Sequence, residues 1–259
     1  MLLEGKTAIV SGIGPGMGRE ISLALAREGA DLVLGARSET NLTPVAEAVE
    51  DLGRRAVWRT CDINEDEQCV ALVQAASDEF GKLDILVNNA FRDGYIVPFE
   101  ETDLDEWRKS MDTNFFGTLQ LTRAALAHLK EAGDGRIVMI NTMSTQLVEP
   151  NMGGYAASKS ALAAVTKTLA NELGGYGIRV NGIHPGYIWG PNVEWYFNHL
   201  AGERGVTPQD VYDEVAGQNA LGYIAPAAEI AGTVVYLASD LSRPVTGQAI
   251  NTSCGQWMP

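Results

Sequence analysis

The amino-acid sequence predicts an α/β protein built on one doubly wound parallel sheet of about seven strands, with helices on both faces. Three observations predict it. Short apolar runs alternate with longer amphipathic stretches along most of the chain. The runs are nearly continuous in apolar residues, as strands are when both faces of their sheet are covered. No linker, internal repeat or shift of composition divides the chain, so residues 1–259 read as one domain.

In order, Thr7–Val10 reads as the first strand and Met17–Glu28 as the helix behind it. Asp31–Ala36 is a strand and Glu39–Leu52 a helix; Arg55–Thr60 and Asp66–Phe80 repeat the pair. Strand Ile85–Asn88 leads to one long helix, Leu104–Lys130, then to strand Arg136–Asn141. Helix Gly154–Leu173 precedes strand Arg179–His184, and helix Ala228–Ala238 precedes the last strand, Ala249–Asn251. Such alternation implies right-handed crossovers between parallel strands. One stretch interrupts it, at about 189–222, where two short helices and a cluster of aromatic residues suggest a substrate lid.

Composition narrows the partners. The 259 residues are 46% hydrophobic and 20% charged, ordinary for a globular chain. A formal net charge of −14 argues against nucleic acid, whose phosphates call for a basic surface, and against anionic membranes. No apolar run is long enough to cross a bilayer, and Met1–Val10 lacks the pattern of a signal peptide. Cys61, Cys69 and Cys254 form no Cys-x-x-Cys pair, which suggests neither a disulfide framework nor a zinc site and fits a cytoplasmic setting. His128, His184 and His199 show no metal-ligand spacing, so no metal is expected.

The first strand runs into Ser11-Gly12-Ile13-Gly14-Pro15-Gly16-Met17-Gly18, directly before a helix. Glycines there let backbone N–H groups approach a pyrophosphate at the positive end of the helix, which makes Gly12, Gly16, Met17 and Gly18 candidate dinucleotide contacts. The end of the second strand discriminates between dinucleotides. An acidic residue would bond the ribose hydroxyls of NAD(H). Ala36 stands there instead, and Arg37 follows with a guanidinium suited to a 2′-phosphate, so NADP(H) is expected and NAD(H) is the alternative. Asp62 and Ile63 follow the third strand, where they could meet the adenine; Asn88-Asn89-Ala90 closes the fourth, with Asn89 and Ala90 placed to line the cofactor.

Tyr155 and Lys159 are the most informative pair. Four residues apart on a helix, they share a face and can reach one cleft. A phenol is a poor base at neutral pH; a neighbouring ammonium, together with the positive nicotinamide of an oxidised cofactor, would bring it towards the working range.

Taken together, Gly12-x-x-x-Gly16-x-Gly18, Asn88-Asn89-Ala90, Asn114, Tyr155-x-x-x-Lys159 and Pro185-Gly186 resemble the short-chain dehydrogenase/reductase family in order and spacing, over the whole chain. The resemblance implies a Rossmann-type fold, a nicotinamide cofactor, and catalysis by Asn114, Tyr155, Lys159 and a hydroxyl that is usually serine. Thirteen residues before Tyr155 that position holds Thr142, with Ser144 two residues on. Thr142 keeps the hydroxyl and is the expected catalytic residue, with Ser144 lining the pocket. Tyr155 would then give or take the proton, Thr142 would hold the substrate oxygen, Lys159 would bind the nicotinamide ribose, and Asn114 would hold a water linking Lys159 to solvent. Pro185, Gly186 and the backbone of Ile188 are expected against the nicotinamide. His184, before the proline, reads as structural. Two departures stand out: Gly190 where the family often has threonine, and Phe91 where it usually has glycine.

Trp189, Trp195, Tyr196 and Phe197, with Phe91, Met143 and Tyr187, suggest an apolar, aromatic pocket and a hydrophobic or cyclic ketone or alcohol as substrate. The competing enzyme reading is a 3-oxoacyl thioester reductase, which the net acidity disfavours because acyl carriers are themselves acidic. A non-catalytic dinucleotide sensor is opposed by the Tyr155–Lys159 pair, and a cofactor-free dehalogenase by Lys159 and the glycine loop. The resemblance also implies a homotetramer or homodimer.

Overall fold

A computed structural model describes residues 1–94 and 96–258. Its sheet is seven-stranded, all-parallel, and ordered β3-β2-β1-β4-β5-β6-β7. The strands are β1 (Thr7–Ser11), β2 (Asp31–Ala36), β3 (Ala56–Thr60), β4 (Ile85–Asn88), β5 (Arg136–Ile140), β6 (Arg179–Pro185) and β7 (Ala249–Thr252). Every residue of β1, β4, β5 and β6 is buried, which is why these strands carry little of the alternation that marks a half-exposed sheet.

On one face lie α1 (Met17–Arg27), α2 (Glu39–Glu50) and α9 (Ala227–Ala238), closing a core around Val10, Leu34, Val138 and Ile183. On the other lie α3 (Asp66–Phe80), α5 (Thr118–Ala132) and α6 (Gly153–Gly174), packed on Ile9, Leu86, Met139 and Val180. The strand order reverses between β1 and β4, so the chains leaving their paired ends, Ser11 and Asn88, run to helices on opposite faces, and sheets of this kind bind ligands at that point.

The long helix expected over 104–130 is not continuous. It divides into α4 (Leu104–Met111), a π-helical segment (Asp112–Gly117) and α5. Two contacts account for the break. Asn114 is fully buried and spends both ends of its side-chain amide on the backbone of Arg92, accepting at 2.7 Å and donating at 2.8 Å. Gly117 lies so close to the turn after β3 that a Cβ would stand 2.9 Å from Ile63 Cγ1. Wider π turns of this kind often mark functional sites.

The interruption after β6 forms α7 (Pro191–Arg204) and α8 (Pro208–Gly217), each with proline in its first turn. Thr207 and Asp210 cap α8 reciprocally. The two helices have a core of their own, Phe197, Ala201, Val211, Ala216 and Ile224. The backbone N–H of Trp189 donates to Ala225 at 2.9 Å, tying the two ends of the segment together.

Candidate active site

Gly12 begins the cradle with φ near +80°, and a Cβ there would lie 2.4 Å from the backbone of Ala90. A Cβ on Gly18 would lie 2.4 Å from the carbonyl of Gly12. Asn89 holds the same loop from β4, its Nδ2 donating to Gly12 O at 2.7 Å. A Cβ on Gly14 or Gly16, by contrast, would meet nothing within 4 Å among the described residues. No side chain caps the N-terminus of α1, where Gly16 precedes Met17. An open hollow against uncapped N–H groups has the shape and polarity that a pyrophosphate requires. Arg37 is exposed just beyond β2, and among the described residues its guanidinium has no ion-pair or hydrogen-bond partner. Asp62 bonds the backbone N–H of Asn64 at 3.0 Å. Ile63 is turned into the core against Gly117, so its backbone rather than its side chain remains for an adenine.

Tyr155 and Lys159 project from α6 towards the end of β5. Lys159 is 2% exposed, and its Nζ donates to Ile140 O at 2.7 Å. Burial pushes its pKa down to about 7, so the ammonium is not secure at neutral pH. Burial, with the carboxylates of Glu149 and Asp93, pushes the Tyr155 phenol up to about 12; the Thr142 hydroxyl is the one side chain drawing it down. In the protein without its dinucleotide, both groups are stripped of water together, and burial governs each. A cationic nicotinamide beside the phenol would act in the missing direction.

Thr142 ends β5 in extended conformation and opens a single turn, Met143–Thr145. Its hydroxyl accepts from Ser144 N at 3.2 Å and lies 3.1 Å from Ser144 Oγ. His184 Nδ1 lies 2.9 Å from Thr142 O and 2.8 Å from Thr145 Oγ1. A carbonyl can only accept, so Nδ1 carries the proton; burial lowers the ring's pKa and favours this neutral form. His184 thus holds the Thr142 backbone, in keeping with its structural reading.

Asn114 Nδ2 also donates to Ser158 Oγ at 2.9 Å, and Ser158 donates to Tyr155 O at 2.8 Å. The π segment is thereby fastened to the turn of α6 that carries the tyrosine. Both hydrogens of the Asn114 amide are engaged, on Arg92 O and Ser158 Oγ. Ser158 was hidden in plain sight within Tyr155-Ala156-Ala157-Ser158-Lys159. Glu149, whose carboxylate accepts from Ser144 Oγ at 2.6 Å, had no signal in the sequence; only the loop's fold brings it to the cleft.

Phe91 is 53% exposed and stands edge-on to Tyr155, ring centroids 6.4 Å apart, with Lys159 Nζ 6.0 Å from its own centroid. Pro185 ends β6 beside Thr252; Gly186 is held close to Gln256, where a Cβ would lie 2.7 Å from Oε1. Ile188 is half-buried against the α1/α9 core. Tyr187 stacks on Tyr196 at 6.4 Å.

The other aromatic residues of this region differ in their surroundings. Trp189 meets Phe197 at 5.9 Å and Tyr212 at 4.7 Å, and the three rings line a hollow between α7 and α8 together with Pro208 and Gln209. Trp195 is 69% exposed and stacks on His199, one turn along α7. Met143 is 3% exposed and belongs to the core more than to an open pocket. Among the described residues no group of His, Cys, Asp and Glu could hold a metal ion, all three cysteines are free, and no helix is long and apolar enough to cross a membrane.

Residues 12–256 match a family model described as enoyl-(acyl carrier protein) reductase. An uncharacterized oxidoreductase of Methylorubrum extorquens is 37% identical over 254 residues, covering 98% of each chain. A 3-alpha-(or 20-beta)-hydroxysteroid dehydrogenase of Mycobacterium tuberculosis is 37% identical over 247 residues, 95% of this chain and 86% of that one. The crystal structure of carveol dehydrogenase from Mycobacterium avium in complex with NAD superposes with a TM-score of 0.92, at 27% identity and 98% coverage of both chains. With the glycine cradle, the seven-stranded parallel sheet and the Tyr155–Lys159 pair in one cleft, these similarities establish that the chain belongs to the short-chain dehydrogenase/reductase family and is an oxidoreductase of the alcohol/carbonyl class.

Proposed function

We propose that the protein moves a hydride between NADP(H) and a secondary alcohol or its ketone, the substrate being hydrophobic or cyclic. The observation that carries the reading is the convergence of Tyr155, Lys159 and Thr142 at the end of β5, with Lys159 anchored on Ile140 O at 2.7 Å. The dinucleotide, held along the glycine cradle, would give or accept the hydride. The chain's residues do the rest. In reduction Tyr155 donates its phenolic proton to the carbonyl oxygen, and in oxidation it takes that proton back. Thr142 donates a hydrogen bond to the same oxygen as charge builds there. Lys159 binds the nicotinamide ribose and supports the phenolate. Asn114 and Ser158 keep the helix turn under Tyr155 in place.

Ala36 and the exposed guanidinium of Arg37 favour NADP(H), while the NAD complex of the carveol dehydrogenase keeps NAD(H) as the alternative. Phe91 edge-on to Tyr155 favours a flat or ringed substrate, as does the relative named for hydroxysteroids. The competing substrate is a 3-oxoacyl thioester, favoured by the description of the matching family model and disfavoured by the net charge of −14. The small residues Ala157 and Ala164 are exposed on α6, which supports pairing of this helix in a homodimer or homotetramer. NADPH oxidation measured with cyclic ketones and with a 3-oxoacyl thioester, in wild type and Tyr155→Phe, tests the proposal. Turnover of the ketones that disappears in the variant supports it; equal rates in both proteins overturn it.

A further inference from the structure

We infer that Glu149 is a positioning residue for hydride transfer: through Ser144 it decides where the Thr142 hydroxyl sends its single proton. The inference rests on the proposed reading that Thr142 and Tyr155 meet the reacting oxygen.

Donor counting leads to it. Ser144 Oγ lies 2.6 Å from Glu149 Oε2, and a carboxylate can only accept, so the one hydroxyl hydrogen of Ser144 is spent there. The 3.1 Å contact between Ser144 Oγ and Thr142 Oγ1 must then be donated by Thr142. The backbone N–H of Ser144 also donates to Thr142 Oγ1, at 3.2 Å, and reinforces that direction. With Glu149 ionised, the chain runs from Thr142 to Ser144 to Glu149, and the charge-assisted bond at its far end polarises the whole. The Thr142 proton is thus drawn away from the oxygen that Tyr155 serves. To stabilise that oxygen, Thr142 must release Ser144. Removing the charge of Glu149 weakens its hold on the Ser144 hydrogen, and removing the acceptor frees that hydrogen for Thr142 and the Thr142 hydrogen for the substrate.

The carboxylate also acts through space, raising the pKa of both Tyr155 and Tyr187. Other titratable groups around the phenol are Asp93 after β4, Lys159 on α6, and His184 on β6 behind Thr142. None of these bonds Ser144, so the route through the hydroxyls can be separated from the field of the charges.

The experiment is a cycle of Glu149→Gln, Ser144→Ala and the double variant, reading the pH midpoint at which alcohol oxidation switches on as Tyr155 deprotonates. Removing the negative charge lowers the phenol's pKa, so Glu149→Gln should move the midpoint down, by about one unit with Ser144 present. In the Ser144→Ala background only the through-space part remains, and the shift should fall to about half or less. Ser144→Thr, which keeps the hydroxyl, should restore the full shift. Glu149→Ala, which gives Ser144 nothing to donate to, should reproduce the ordering. Equal shifts with and without Ser144 overturn the inference, as does no shift at all, the result expected if Glu149 only pins the loop. Tyr155→Phe tests the underlying reading separately: if it stays active, that reading fails, whatever the cycle shows.

Discussion

Lys159 directs its ammonium to the carbonyl of Ile140 at 2.7 Å, from a position 2% exposed to solvent. The hydrogen bond joins α6 to the last residue of β5. It also removes the amine from water, which is why its pKa falls to about 7.

A stability test follows from that burial. The unfolded lysine keeps its ordinary high pKa, so between about pH 10 and pH 7 the unfolded state binds a proton that the folded state does not. The folded protein therefore loses stability as pH falls through this window, and the penalty levels off below it. Lys159→Met should remove the penalty, raising stability at pH 7 by ~1–3 kcal/mol while abolishing turnover. Denaturant unfolding of both proteins at pH 7 and pH 10 checks it. An advantage for the variant that does not shrink at the higher pH contradicts the account.

The two hydroxyls after β5 should differ in weight. Thr142→Ala is expected to cost kcat about 10²–10³-fold, the usual effect of deleting a donor to a developing oxyanion. Thr142→Ser should retain most activity. Ser144→Ala should lose far less than Thr142→Ala, and the reverse order would move the catalytic role to Ser144.

Glycines of the cradle are not equivalent. Gly12→Ala places a Cβ 2.4 Å from backbone atoms of Ala90, at a φ near +80° that side chains resist. It should destabilise the fold by about 2 kcal/mol or more and abolish dinucleotide binding. Gly14→Ala meets open space and should leave the melting temperature within a degree or two, roughly the effect of a surface change. Thermal melts with and without NADPH separate the two.

Cofactor choice should turn on Arg37. Arg37→Ala is expected to raise KM for NADPH by about tenfold or more, the worth of a charged hydrogen bond, and to leave KM for NADH nearly unchanged. Equal losses with both cofactors would assign Arg37 no part in reading a 2′-phosphate.

Much of the architecture was legible before any coordinates. Strands Asp31–Ala36 and Ile85–Asn88 and helix Asp66–Phe80 begin and end where the pattern places them. Their apolar runs end at turn residues, and both signals are local. The unbroken helix over 104–130 was misread because its periodicity is intact. The π turn is imposed from outside, by Arg92 and by the approach of Ile63 to Gly117. The aromatic residues after β6 show the same limit of local signals: composition says that Trp189, Trp195 and Phe197 are apolar, but not which way each ring faces.

By itself the sequence determined the doubly wound fold, the glycine turn and the pairing of Tyr155 with Lys159. These depend on residue type, on period, and on a spacing of four along one helix. Only the tertiary structure decided the electrostatic state of that pair, with the lysine lowered, the phenol raised, and Glu149 within reach through Ser144. Burial and charge act through space, between segments whose separation along the chain says nothing of their distance in the fold.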